Sequence, residues 1–257
     1  MDKNDPGKTG RWAGRNSDKD VVRADIWGTL DEGGFAMGPT WSHIPNFIGA
    51  DMAAWRLGQL PQWRAAKVVK CNPDPPQIPV RLRALYDGKM LYAPVPYLTK
   101  DFPYLRIDPA KLSAKGVSFE LAATSEGYMM HGERIGFEDV EPIDFAVVGS
   151  VAVSRSGART GKGAGFADLE TGIFRALGVI GPATVLATTV HTCQLVPESR
   201  VVMQAHDSPL DFVATEAELI VTGNTAPRPT GVDWDAVRPD QYDTIPFLRA
   251  LRARMGA

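Results

Sequence analysis

The sequence predicts an α/β fold with an open, mostly parallel sheet flanked by helices. Three observations carry that prediction. The run "DFAVVGSVAVS" is a continuous apolar strand, of the kind buried on both faces of a parallel sheet. It passes through a glycine-rich stretch into Phe166, Leu169, Ile173, Phe174 and Leu177, apolar residues that recur at helical spacing. "ATVLATTV" then supplies a second buried strand and "LDFVAT" a third, so strand, loop, helix and strand follow in βαβ order.

The remaining elements follow along the chain. Residues 1–22 are polar and glycine-containing and read as a flexible leader. They lack the apolar segment of a secretory signal, and no apolar run is long enough to span a bilayer, so a cytoplasmic protein is expected. Arg23 to Leu30 reads as a helix stopped at Gly33-Gly34, and "WSHIPNFIGA" as a loop. "DMAAWRLGQLPQWRAAKVVKC" gives a helix, a second short helix and a strand at Val68 to Cys71, which the Asn-Pro-Asp-Pro-Pro run ends. In "VRLRALYDGKMLYAPVPYL", Val80, Leu82 and Ala84 alternate with Arg81 and Arg83, which predicts two strands around a Tyr86-Asp87-Gly88-Lys89 turn. The stretch from "PAKLSAKG" onwards is ambiguous, and Glu133 to Glu141 reads as a surface connection. Gly178 is placed to cap the helix after the glycine stretch. Residues 23–222 thus form the α/β domain. Residues 223–257 form a C-terminal extension packed on it, proline-rich at first and helical at its end.

At 257 residues, with 44% hydrophobic and 23% charged content, the chain can bury a substantial core. A net charge of -2 argues against a general nucleic-acid binder while leaving room for a local basic pocket. The two cysteines, Cys71 and Cys193, make no disulfide framework and no metal-type pair. No coiled-coil pattern or other assembly signal is present, so the oligomeric state stays open.

The chemistry concentrates in "SRSGARTGKGAGFADLETGIF", Ser154 to Phe174. Neither standard phosphate-loop pattern fits. Lys162 is followed by Gly163 rather than Ser or Thr, and Phe166-Ala167-Asp168 stand where a dinucleotide fingerprint needs its last glycine. Glycines at 161, 163 and 165 still permit a tight turn of converging N–H groups, and the following helix adds its own free N–H groups. Arg155, Arg159 and Lys162 supply charge-assisted bonds suited to phosphate oxygens. Asp168 and Glu170 repel a bare anion from that helix mouth and suit one bridged by Mg²⁺. The competing reading is a surface loop before a helix whose first turn favours acids.

Other polar groups point less sharply. His206-Asp207, with Asp211 nearby, fits a loop hydrogen bond better than a catalytic dyad. His191 and Cys193 end a strand, where parallel sheets place functional groups, yet edge packing serves equally. The histidines lack metal-ligand spacing, so zinc is not expected. Trp27, Trp41, Trp55, Trp63 and Phe47 suit either a ring-stacking pocket or helix cores, with core packing expected for Trp55 and Trp63.

"DFAVVGSVAVSRSGARTGKGAGFADLE" followed by "PESRVVMQAHDSPLDFVATE" resembles the 5-formyltetrahydrofolate cyclo-ligase family. "IPNFIGA", "KVVKCNPDPPQIPVR", "LYAPVP" and a trailing "IPFL" make it similar to the divergent cyclo-ligase-like branch, over roughly Arg23 to Thr222 and part of the tail. The resemblance implies a NagB/RpiA/CoA-transferase-like fold and a ligase that uses ATP and Mg²⁺ to convert 5-formyltetrahydrofolate to 5,10-methenyltetrahydrofolate. It implies that Arg159 and Lys162 act in catalysis. Arg23, Arg155, Arg159, Gly161, Lys162, Gly163, Ala164, Gly165 and Phe166 would hold ATP, and Asp168 the metal. The expected partner is a small molecule, a reduced folate, with neither nucleic acid nor membrane. Phe166-Ala167 replace the family's tyrosine pair and Gly149-Ser150 its proline. The branch's link to thiamine metabolism implies an alternative, another small C1- or thiamine-linked metabolite or a non-catalytic nucleotide-binding role.

Overall fold

The computed structural model describes residues 10–256. The first nine residues of the expected leader lie outside them. The first helix, α1 (Ser17–Glu32), starts six residues before Arg23, because the Asn16 side chain caps it by accepting from the Lys19 N–H. Then come α2 (Ala50–Leu57), α3 (Pro61–Ala65), β1 (Val68–Cys71), α4 (Ile78–Tyr86), β2 (Met90–Pro94), β3 (Tyr104–Ile107) and α5 (Pro109–Ala114). Next are α6 (Phe119–Ala122), α7 (Ser125–His131), β4 (Glu133–Ile135), β5 (Phe145–Val147), β6 (Ala152–Val153), β7 (Arg159–Thr160) and α8 (Phe166–Ala176). The chain ends with β8 (Val185–Thr189), β9 (Phe212–Ala214), β10 (Leu219–Val221), α9 (Pro239–Thr244) and α10 (Leu248–Arg254).

One eight-stranded sheet runs in the order β10-β9-β8-β5-β1-β2-β3-β4. β9, β8, β5, β1 and β2 are mutually parallel, while β10 and the β3–β4 pair are antiparallel additions at the two edges. The sheet is therefore mixed, an α/β arrangement with a parallel centre. β6 and β7 form a separate hairpin inserted between β5 and α8.

Alternate side chains of the central strands enter two cores. Val69 and Cys71, Leu91 and Ala93, and Phe145 and Val147 pack with α1, α2, α4 and α7. Val68, Tyr92, Tyr104 and Ala146 pack on the other face with Leu169, Ile173 and Phe174 of α8. Ile245, Leu248 and Leu251 of the C-terminal extension close that second core. The extension is built against α8 so tightly that a Cβ at Gly172 would lie 2.9 Å from the Gly231 carbonyl.

Two expectations are corrected. The segment from Val80 to Ala84 is helix, not strand. Pro79 fits the first turn, and the buried residues are Val80, Arg81, Ala84 and Leu85, a helical set. Arg81 misleads the alternation because it turns inward, donating to the carbonyls of Asn72 and Ala123. Glu133–Ile135 is an edge strand rather than a loop, paired antiparallel with β3. Gly178 does end α8 as expected, at φ 74° with its N–H on the Arg175 carbonyl. No helix among the described residues is long and apolar enough to cross a membrane.

Candidate active site

A cavity of about 680 Å³ opens beyond the carboxyl ends of β1, β2 and β5, where parallel sheets bind ligands. Its walls are residues 72–75 after β1, residues 95–97 after β2, Gly149 after β5, the glycine loop, α1, residues 204–207 and the extension.

The glycine loop runs from the β6–β7 hairpin into α8. Gly163 (φ 101°) and Gly165 (φ 77°) take left-handed backbone that favours glycine, and Gly165 caps α8 without a side chain. A Cβ at Gly163 would stand 3.1 Å from Trp12 and 3.3 Å from the Arg23 guanidinium carbon. Every residue from Gly161 to Asp168 lines the cavity, and among the described residues none of their backbone N–H groups has an acceptor. The carbonyls of the loop are occupied instead. Arg23 Nε donates to Gly161 O at 2.7 Å, and Arg15 Nη1 reaches Gly163 O and Ala164 O at 3.3 Å each.

The charged groups form a ring of cross-cavity pairs. Arg159 is buried and bridges Gly149 O (3.0 Å) to the Asp168 carboxylate. Burial opposes ionisation of Asp168, but Arg159 first, then Lys19 and His206, hold its carboxyl below the ordinary value. Lys162 Nζ donates to Asp74 Oδ1 at 2.7 Å and lies 5.2 Å from the Tyr97 ring centre. Lys19 pairs with Asp207. Burial lowers the Arg23 guanidinium, and Asp20 partly offsets it from 2.6 Å. On the floor, Lys70 Nζ sits 2.8 Å from Glu170 Oε2, both side chains nearly inaccessible. Tyr97 (φ 59°) and Leu98 (φ 54°) are consecutive left-handed residues at the end of β2, and the Phe166 ring meets Tyr97 edge-on at 6.0 Å.

Nine of the ten expected site residues therefore gather in one cavity: Arg23, Arg159, Gly161, Lys162, Gly163, Ala164, Gly165, Phe166 and Asp168. Arg155 does not. It lies at the tip of the hairpin, exposed and paired with Glu218, because Ser154 to Ala158 close the turn away from the cavity. Sequence reasoning passed over Arg15, Lys19, Asp74 and Glu170's partner Lys70. Only Lys19 carried a local signal, its i,i+4 spacing to Arg23 on a helix. His206 does face the cavity, near Asp207 at 3.8 Å and Asp233 at 4.0 Å. His191 instead stacks on Phe35 and caps a 3-10 turn through the Cys193 N–H. Trp63 is core as expected, whereas Trp55 is 48% exposed. Trp27, Trp41 and Phe47 do not line the cavity, so the expected ring-stacking set does not gather there.

A MgATP-like group fits this donor set. The acceptor-free N–H run and Lys162 suit phosphate oxygens. Asp168 Oδ2 makes no hydrogen bond among the described residues, which suits one side of a Mg²⁺ shell. Among the described residues no cluster of three His, Cys, Asp or Glu could hold a metal alone, so phosphate oxygens would complete that shell.

Comparison with known proteins agrees with this architecture. The methenyltetrahydrofolate synthase domain-containing protein of Mus musculus is 36% identical over 92% of the chain, and that of Homo sapiens 35% over 92%. Both are longer proteins, of which the chain spans 63% and 62%. The solved structure of Aquifex aeolicus 5,10-methenyltetrahydrofolate synthetase shares the fold, with a TM-score of 0.51 at 19% identity over 83% of this chain and 95% of that one. The model of the 5-formyltetrahydrofolate cyclo-ligase family matches residues 16–216, and the chain belongs to that family.

Proposed function

We propose that the protein is a cytoplasmic ligase of NagB/RpiA/CoA-transferase-like type, converting 5-formyltetrahydrofolate to 5,10-methenyltetrahydrofolate with ATP and Mg²⁺. The observation that carries this reading is the acceptor-free N–H run from Gly161 to Asp168 in the cavity wall, with Lys162 beside it. MgATP supplies the phosphoryl group that makes the formyl oxygen a leaving group. The chain's part is positioning and charge neutralisation, which is what phosphoryl transfer demands of a protein. The loop N–H groups and Lys162 hold and neutralise phosphate oxygens. Arg159, locked between Gly149 O and Asp168, fixes the carboxylate on the metal side. Tyr97 and Phe166 give the cavity an apolar wall that excludes water near the reacting atoms. The test is incubation of the full chain with 5-formyltetrahydrofolate and MgATP while methenylfolate absorbance is followed. Folded protein that forms no product above the enzyme-free rate refutes the reading.

A different acceptor in C1- or thiamine-linked metabolism is the second reading. It is favoured by residues 231–233 and 235–239, which lie outside the family match yet line the cavity. ADP release stimulated by non-folate metabolites and not by 5-formyltetrahydrofolate distinguishes it. ATP binding without any turnover identifies a sensor instead.

A further inference from the structure

We propose that Gln241 is a positioning residue that pre-organises the phosphate-holding loop, with Asp240 in a supporting role; the proposal rests on the nucleotide reading above. Both lie in α9, beyond the end of the family match at residue 216.

Gln241 is buried in the cavity wall, and its Nε2 donates to Ala164 O at 3.3 Å. Its Oε1 accepts from the Arg238 N–H at 2.9 Å, so the amide is held at both ends and cannot flip without losing two bonds. A Cβ on Gly165 would lie 3.3 Å from the same Nε2, which shows how closely the side chain abuts the loop. Asp240 pairs with Arg15, and Arg15 Nη1 shares the Ala164 carbonyl and takes that of Gly163. Arg15 also lies just outside the family match. Segments from both sides of the matched region thus converge on one short stretch of backbone.

The physical consequence follows from what the loop must do. A glycine-rich loop is free to adopt many conformations, and ordering it on a ligand costs binding free energy. Donors that occupy its carbonyls from outside remove that freedom beforehand and leave its N–H groups for the ligand. Gln241 is thereby coupled to nucleotide affinity without being a phosphate ligand itself.

Gln241→Glu tests this cleanly. The carboxylate keeps the shape and the acceptor for Arg238, while the donor to Ala164 is lost. The first measurement is the rate of tryptic cleavage after Lys162 in the ligand-free protein, which reports loop opening. It rises about tenfold, the effect of one hydrogen bond to the loop, with little change in Tm. The second is titration with MgATP, where Kd rises by a similar factor, about tenfold. Asp240→Asn gives the same two changes at about two- to threefold, because its pair with Arg15 is half exposed. Unchanged cleavage at Lys162 in Gln241→Glu overturns the proposal, as does faster cleavage equally spread over all sites, which reports general destabilisation. If the unaltered protein binds no MgATP, the nucleotide reading fails, and the cleavage assay still decides whether Gln241 holds the loop.

Discussion

The two faces of β1 make an instructive contrast. Val69 and Cys71 point into a mostly apolar cluster, where burial raises the Cys71 thiol to about 11 against the opposing pull of the buried Arg81. Lys70, between them in sequence, points to the other face and meets Glu170 of α8 beneath the cavity. On the first face the buried Arg81 guanidinium is met by backbone carbonyls, whereas the second face buries a side-chain ion pair. A buried ion pair seldom stabilises a fold more than well-packed apolar residues do. Its place here, under the cavity where α8 begins, marks where the fold gives up packing for chemistry.

Breaking that contrast should produce the largest effect. Lys70→Met leaves Glu170 buried without its partner and should destabilise the protein by about 3–5 kcal/mol in urea unfolding. Adding Glu170→Leu should recover most of that stability while leaving turnover impaired. A double variant as unstable as the single one would mean the pair is a true structural support. Next, Lys162→Ala should cost about 1–3 kcal/mol of MgATP binding, read by calorimetry, with Tm little altered. Equal affinity in both proteins would remove Lys162 from the phosphate site.

Acid titration sharpens the contrast in a smaller way. Asp168 titrates below its ordinary 3.8, so its contribution to stability is complete above that pH. It is lost as pH falls through the depressed folded value. Asp168→Asn should therefore flatten the acid limb of the stability curve below about pH 4, measured by urea unfolding across pH. The smallest effect is expected for Arg155→Ala. Its exposed pair with Glu218 contributes about 0–1 kcal/mol, and turnover should be unchanged. A clear loss of nucleotide affinity in that variant would place the hairpin tip at the site after all.

The legible parts of the sequence were those governed by local rules. β5, the glycine loop, α8 and β8 could be placed because apolar runs and helical spacing are short-range signals. The loop's glycines and bases pointed to an anion site, and the loop lines the cavity. Helix α4 was misread because Arg81, a charged residue, is turned inward to satisfy backbone carbonyls left free by the Asn72 to Asp74 bend. Lys162 with Asp74 and Lys19 with Asp207 were invisible because each joins segments far apart in sequence, and no spacing rule reaches that far. Arg155 stands only four residues before Arg159, yet a hairpin turn between them sends the two side chains to different surroundings.

Tyr97 and Leu98 carry a further consequence. Two successive side-chain-bearing residues in left-handed backbone cost about 1–3 kcal/mol each, a strain that only the surrounding structure can hold in place. Leu98 is anchored in the core, so the strained link works as a stiff bracket that projects the Tyr97 ring over Lys162. Glycine at position 97 would relax the backbone and leave the lysine with no aromatic face beside it on that side. The end of β2 thus trades conformational comfort for a fixed ring.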